Sequence, residues 1–166
     1  MKKIIFYFTV ITLILVSCSD NSKKENNTAL TANDQTQTMF PKGNLIENDY
    51  FNGEAWLNML VTDRENFDVS IGNVLFKPGV RTNWHSHPGG QILLCTKGKG
   101  YYQEKGKPIQ LLNASDVVEI LPDIVHWHGA KPDSEFEHIA ISTQQSKGAV
   151  VWLEPVADEE YNSYQE

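Results

Sequence analysis

Pro78-Gly79-Val80-Arg81-Thr82-Asn83-Trp84-His85-Ser86-His87-Pro88-Gly89-Gly90-Gln91-Ile92-Leu93-Leu94-Cys95 sets a β-like run on each side of a Pro-Gly-Gly turn. It also places two histidines two residues apart. On a strand, residues i and i+2 point to the same face, so His85 and His87 project both imidazoles into one space. Further along, His126-Trp127-His128 repeats the arrangement. The chain holds five histidines, and four lie in these two pairs. The fifth, His138, sits in Glu135-Phe-Glu-His-Ile-Ala-Ile-Ser142, where Phe136, His138, Ala140 and Ser142 share one strand face. One His-x-His pair is commonly a surface accident. Two pairs with no histidine outside the domain point to a metal centre, because imidazole is largely unprotonated near neutral pH and is the most common protein metal ligand.

Outward from these pairs the chain reads as short β-like runs: 54–61, 69–77, 81–87, 90–96, 99–104, 107–112, 116–121, 125–128, 135–143 and 150–153. Pro78-Gly79, Pro88-Gly89-Gly90, Lys97-Gly98-Lys99-Gly100, Lys105-Gly106-Lys107-Pro108 and Lys131-Pro132-Asp133 punctuate them. Many short strands at this spacing predict an all-β sandwich or barrel. No stretch carries a 3.6-residue apolar period, and Asp158 to Tyr164 is expected to form a last helical turn at most. Residues 45–166 are one domain of ordinary size.

Gly79-x5-His85-x-His87-x3-Gln91-x6-Gly98 resembles the first motif of the cupins, with Gln91 in place of the usual Glu. Asp116 and His126 match the acid and histidine of the second motif, while Ser115, Leu121, Asp123 and Ala130 stand where Gly, Pro, Gly and Asn are usual. These departures fall at turn and packing positions. From about residue 50 to 161 the chain is similar to the small single-domain cupins that include bacterial (R)-hydroxynitrile lyases. The segments 78–88, Asp116-Val117-Val118, His126-Trp127-His128-Gly129-Ala130, His138-Ile139-Ala140-Ile141, Lys147-Gly148-Ala149-Val150 and Asp158-Glu159-Glu160-Tyr161 carry that likeness. The resemblance implies a double-stranded β-helix, a jelly-roll-like barrel, and a homodimer.

By position, the resemblance makes His85, His87, Gln91 and His126 metal ligands and leaves His128 and His138 as free pocket histidines. Three neutral imidazoles and one neutral amide oxygen would leave the charge of a divalent ion uncompensated, a stronger Lewis acid than a set with Glu. Without a thiolate ligand, Mn(II), the favoured ion, and Fe(II), Ni(II) and Co(II) all suit the set, and Zn(II) is also compatible. His128, fixed near the ion but not needed as a ligand, is a candidate general base, and His138 a candidate to share that role. Arg81, Thr82 and Ser142 are candidate substrate contacts, the first two expected at the barrel mouth. Trp84 and Trp127 alternate to the opposite strand face and are read as packing residues.

The N-terminal region has a different composition. Lys2 and Lys3 precede a thirteen-residue stretch, Ile4 to Val16, that is apolar apart from Thr9 and Thr12. This is shorter than the roughly 20 residues a spanning helix needs. A basic start and a short apolar core read as a secretory signal over residues 1–17. Leu15-Val16-Ser17-Cys18 resembles the lipobox of bacterial lipoproteins, which implies a lipidated Cys18 at the mature N-terminus. Ser19 fits an outer-membrane address, so the expected location is the cell envelope, at the outer membrane or facing the periplasm. Residues 18–44 are almost wholly polar and read as a disordered tether. The only other cysteine, Cys95, lies in an apolar run and reads as a small buried hydrophobe. The formal charge of −7 becomes −9 without Lys2 and Lys3. An acidic chain with no basic cluster argues against nucleic acid and against electrostatic docking on anionic lipid, leaving the lipid anchor as the membrane contact.

These residues predict a metal-dependent lyase acting on a small hydroxylated substrate, for which the resemblance implies cleavage of a cyanohydrin to an aldehyde and cyanide. A cupin lipoprotein that binds a small molecule or metal without turnover, and an Fe(II) oxygenase, are the alternative readings.

Overall fold

The structure is a computed structural model and describes residues 38–165. The expected signal segment 1–17, Cys18 and most of the tether lie outside the described residues. Ten strands run β1 Asn44–Leu45, β2 Ala55–Val61, β3 Val69–Phe76, β4 His85–Ser86, β5 Gln91–Glu104, β6 Gln110–Asn113, β7 Val117–Ile120, β8 His126–Ala130, β9 Phe136–Thr143 and β10 Val151–Trp152. Two helical turns, α1 Arg64–Phe67 and α2 Asp158–Tyr161, complete the described elements with a 3₁₀ turn at Gln145–Lys147. All pairings are antiparallel, in the order β1-β2-β3-β9-β5-β8-β4-β10, with β6 and β7 also on β5. The fold is the expected all-β barrel.

Strand β5 organises this barrel. Its first half, Gln91 to Gly98, pairs with β9 and in part with β7, and its second half, Lys99 to Glu104, pairs with β6 and β8. One strand therefore belongs to both walls. The Gly-rich spacing predicts a turn at Lys97-Gly98-Lys99-Gly100, and the structure corrects it. The chain bends there without leaving the sheet, through a bulge between Cys95 and Lys97. Gly98 makes the bend: its φ is +73°, and a Cβ on it would lie 1.8 Å from the Glu135 carbonyl oxygen. A bulge adds local twist and turns a flat strand into a barrel corner.

The run 81–87 is also corrected, because only His85–Ser86 forms a strand. Its backbone bonds go to different neighbours in turn: Thr82 N–H to the His128 carbonyl, Asn83 N–H to Tyr50, and Trp84 N–H to Glu154. No single ladder holds it, yet each of these three N–H groups is satisfied.

Alternation on these strands produces two apolar clusters. Ala55, Phe76, Leu93, Leu112 and Phe136 belong to the barrel interior. Trp84, Tyr101, Trp127, Val156 and Tyr161 form a second cluster against the C-terminal segment. Trp127 projects into the second because His126 and His128, its neighbours, project into the barrel. Cys95 is buried in the first cluster, and burial with the nearby Asp116 pushes its thiol up to about 12.

Ser115 (φ 78°) and Asp123 (φ 63°), which replace the usual glycines of the second motif, hold the left-handed conformation. That conformation costs a side-chain-bearing residue roughly 1–2 kcal/mol. Ser115→Gly is therefore expected to raise stability by about 0.5–1 kcal/mol, after the extra chain entropy of glycine is subtracted. A thermal melt should show a midpoint higher by a few degrees. An unchanged or lower midpoint would contradict the assignment of strain.

Candidate metal centre

Four strands converge on one buried cluster of five histidines, which forms the chamber. Residues of β4 and the turn after it bring His85 and His87, the start of β5 brings Gln91, β8 brings His126 and His128, and β9 brings His138 and Ser142. His85 and His126 are direct cross-strand partners. Ring centroids lie 4.2 Å apart for His85–His126, 5.3 Å for His85–His87, 5.7 Å for His87–His126 and 5.2 Å for His85–His128. Ring nitrogens of His85, His126 and His128 all fall within 4.8 Å of one another, so these three histidines can hold a metal ion. The chamber is closed: exposure is 1% for His85, 8% for His87, 0% for His126, 5% for His128 and 0% for His138.

Backbone carbonyls set the tautomers. His85 Nδ1 lies 2.9 Å from the Asn83 carbonyl oxygen and His126 Nδ1 lies 2.9 Å from that of Ile124. A carbonyl only accepts, so each Nδ1 carries the hydrogen, and each Nε2 presents a lone pair to the chamber. Gln91 Oε1 lies 3.3 Å from His126 Nε2, and its Nε2 makes a long contact of 3.5 Å to the Ser142 hydroxyl. Two lone-pair atoms, His126 Nε2 and Gln91 Oε1, thus face each other without a proton between them. His87 Nδ1 also meets the Ser142 hydroxyl at 3.5 Å, and its Nε2 is buried without a partner. A cation between these atoms would satisfy all of them, which is how this donor set fits a divalent metal.

His128 and His138 differ from that pattern. Among the described residues His128 Nδ1 has no hydrogen-bond partner, and neither does either nitrogen of His138. His138 lies between Phe76 and Phe136, at centroid distances of 5.6 and 5.2 Å, with the His128 ring 4.8 Å away at 82°. Burial keeps all five imidazoles neutral. It lowers His87 and His126 to about 4 and His138 to about 3. His85 and His128 are held well below the usual range by burial first and by neighbouring imidazoles second.

Both residues expected at the barrel mouth are engaged elsewhere. Arg81 is buried, donates to the Val156 carbonyl at 2.9 Å, pairs with Asp158 at 2.5 Å and lies over the Tyr161 ring at 4.5 Å. The Arg81 backbone packs tightly on β8, where a Cβ on Gly129 would come 2.5 Å from the Arg81 Cα, and its guanidinium is taken up by the C-terminal segment. The Thr82 hydroxyl is engaged with the main chain of His128, to its carbonyl at 3.2 Å and from its N–H at 3.3 Å. Ser142 stays at the chamber, between His87 and Gln91. Sequence reasoning missed Tyr102, whose buried ring lies 5.8 Å from His126, and Trp152, 4.8 Å from His85. Tyr102 follows the same alternation from Gln91 only if β5 is read as one bent strand. Trp152 had no local signal.

Residues 77–154 match the AraC-like ligand binding domain family. The chain is 39% identical over 113 residues to an (R)-mandelonitrile lyase from Granulicella tundricola, covering 68% of this chain and 86% of that protein. A cupin-like protein from Thermotoga maritima is 53% identical, with a TM-score of 0.74, covering 75% of this chain and 95% of the other. The DMSP lyase DddQ from Ruegeria pomeroyi shares the fold, with a TM-score of 0.54 at 18% identity over 63% of this chain and 54% of that one.

The depressed imidazole values imply an acid sensitivity of the metal-free protein. The unfolded chain binds protons on these histidines near their ordinary value of 6.5, and the folded chain does not until about 4 or below. Their contribution is therefore present above pH 6.5 and lost as pH falls toward 4, at about 1.4 kcal/mol per pH unit for each histidine that stays neutral in the fold. Melts of metal-free protein between pH 7 and 4 should show a steadily falling midpoint. A flat profile over that window would contradict neutral burial.

Proposed function

The chain belongs to the cupin family, and from that premise we propose that its chamber holds one divalent transition ion and serves a carbon–carbon lyase reaction on a small hydroxylated substrate. The observation that carries the reading is the facing of His126 Nε2 and Gln91 Oε1 at 3.3 Å, an arrangement that a cation stabilises. His85, His87, Gln91 and His126 are the residues that would hold it. The first and last have Nδ1 tied to a carbonyl, and His87 has Nδ1 against Ser142 with Nε2 left free. His128 lies in the same cluster but has no acceptor on Nδ1, so it is the imidazole left for proton transfer. When bound, such an ion supplies Lewis-acid polarisation of a substrate hydroxyl oxygen.

The protein groups do the rest. His128 takes the hydroxyl proton at its free nitrogen while the C–O bond closes to a carbonyl. The bond from that carbon to the leaving group breaks, and its electron pair departs with the leaving group. For a cyanohydrin, suggested by the (R)-mandelonitrile lyase relative, the products are an aldehyde and cyanide. An imidazolium in this buried site is a strong acid, so His128 returns the proton to the cyanide. His138, with one N–H and one free nitrogen between two phenylalanine rings, orients the substrate. The lipobox-like Leu15-Val16-Ser17-Cys18 supports display of this domain at the cell envelope.

A binding module without turnover is the second reading, and the match to an AraC-like ligand binding domain favours it. Mandelonitrile cleavage separates the two. His128→Ala should keep its metal and lose roughly 10²–10⁴-fold in kcat/KM for benzaldehyde release, the usual worth of a positioned base. Undiminished release would remove His128 from the chemistry. No metal-dependent release from the unmodified protein would favour the binder.

A further inference from the structure

The five histidines are buried, yet a substrate has to reach them. Apart from the other histidines, the ring lying against His85 is Trp152, on the short edge strand β10. Trp152 and His85 are cross-strand partners, with ring centroids 4.8 Å apart. Tyr50 stacks on the Trp152 ring at 4.6 Å with only 4° between planes, and is itself 40% exposed. Phe51 touches Trp152 at 6.0 Å and Phe76 at 5.7 Å, and Phe76 reaches His128 at 5.9 Å and His138 at 5.6 Å. A chain of ring contacts thus runs from the exposed Tyr50 to the fully buried His138.

β10 is suited to move. Among the described residues it stands at the end of the sheet order, with β4 its single strand neighbour, and only two residue pairs join them. Just beyond β10, the Leu153 N–H donates to the Trp84 carbonyl at 2.8 Å and the Trp84 N–H to the Glu154 carbonyl at 3.0 Å. Asn83 Nδ2 makes a long contact of 3.5 Å to the Leu153 carbonyl, and Lys105 forms a surface ion pair with Glu154 at 2.5 Å. By contrast, β8 on the opposite side of β4 is tied to the five-residue ladder with β5 and cannot swing without breaking the wall. Segments that open locally are those with few bonds and few buried neighbours.

We propose that the chamber opens at Trp152, braced shut by Tyr50, and that the flat apolar substituent of the substrate rests on the Trp152 indole while its oxygen reaches the histidines. The resting place of the substituent depends on the lyase reading above, whereas the place of opening does not. An aromatic stack contributes about 0.5–1.5 kcal/mol beyond its area, which corresponds to roughly a tenfold change in the open population at the upper end.

Carbethoxylation by diethyl pyrocarbonate tests the opening on the metal-free full-length chain, read at His85 and His128 by peptide mass spectrometry. Trp152→Ala should react about tenfold faster at both, Tyr50→Ala several-fold faster, and Trp152→Phe close to the unmodified rate. If Trp152→Ala fails to fold, Tyr50→Ala, which removes only an exposed brace, decides the question. Unchanged rates at both histidines in Tyr50→Ala and in any folded Trp152→Ala would overturn the proposal. In the selectivity arm, Trp152→Ala should lower the ratio of kcat/KM for mandelonitrile over the cyanohydrin of acetaldehyde about tenfold, and an unchanged ratio would remove Trp152 as the resting surface. A protein that turns over neither cyanohydrin sinks the lyase reading, and the carbethoxylation rates still decide where the chamber opens.

Discussion

Two backbone carbonyls, those of Asn83 and Ile124, fix which nitrogen of His85 and His126 carries a hydrogen, and the chamber's chemistry follows from that constraint. With Nδ1 committed as a donor, each Nε2 turns a lone pair inward. Gln91 adds an amide oxygen beside His126, because its amide nitrogen is drawn toward Ser142. Neutral imidazoles are the only form such a buried site tolerates, since charging any of them would cost desolvation and repulsion from the others. A set of converging lone pairs in a low-dielectric interior is a poor place for nothing and a good place for a cation.

The barrel delivers these atoms from four strands, and β5 makes that possible. Because it bends at Gly98 instead of ending there, one strand carries Gln91 toward β9 and Tyr102 toward β8. The same alternation that turns His126 and His128 inward sends Trp127 outward, where its indole N–H donates to Gln103 at 2.6 Å. Gln103 in turn donates to Glu160, and the Tyr161 hydroxyl donates to the Ala130 carbonyl, each at 2.6 Å. The C-terminal turn thereby braces the back of the strand whose front carries two chamber histidines.

Much of this was legible in the chain. Two His-x-His pairs and His138, on strands bounded by Pro and Gly, placed the histidines in one space, because strand alternation is a local property. The bend in β5 was not legible, since a Gly-rich segment reads the same whether it ends a strand or kinks one, and only the Glu135 carbonyl pressing on Gly98 decides between them. The place of Arg81 is hidden for a related reason: its partner, Asp158, lies 77 residues further along the chain. Trp152 was missed because its role comes from pairing with His85, a contact of long sequence separation with no motif around it.

The central claim is that a divalent cation belongs between His126 Nε2 and Gln91 Oε1, and metal content tests it most directly. Mass spectrometric analysis of the full-length protein after reconstitution with Mn(II), Fe(II), Co(II) or Ni(II) should find about one equivalent per chain. The His85→Ala/His126→Ala variant, matched for folding by circular dichroism, should retain none. No retained metal in the unmodified protein, or equal retention in both, would contradict the account.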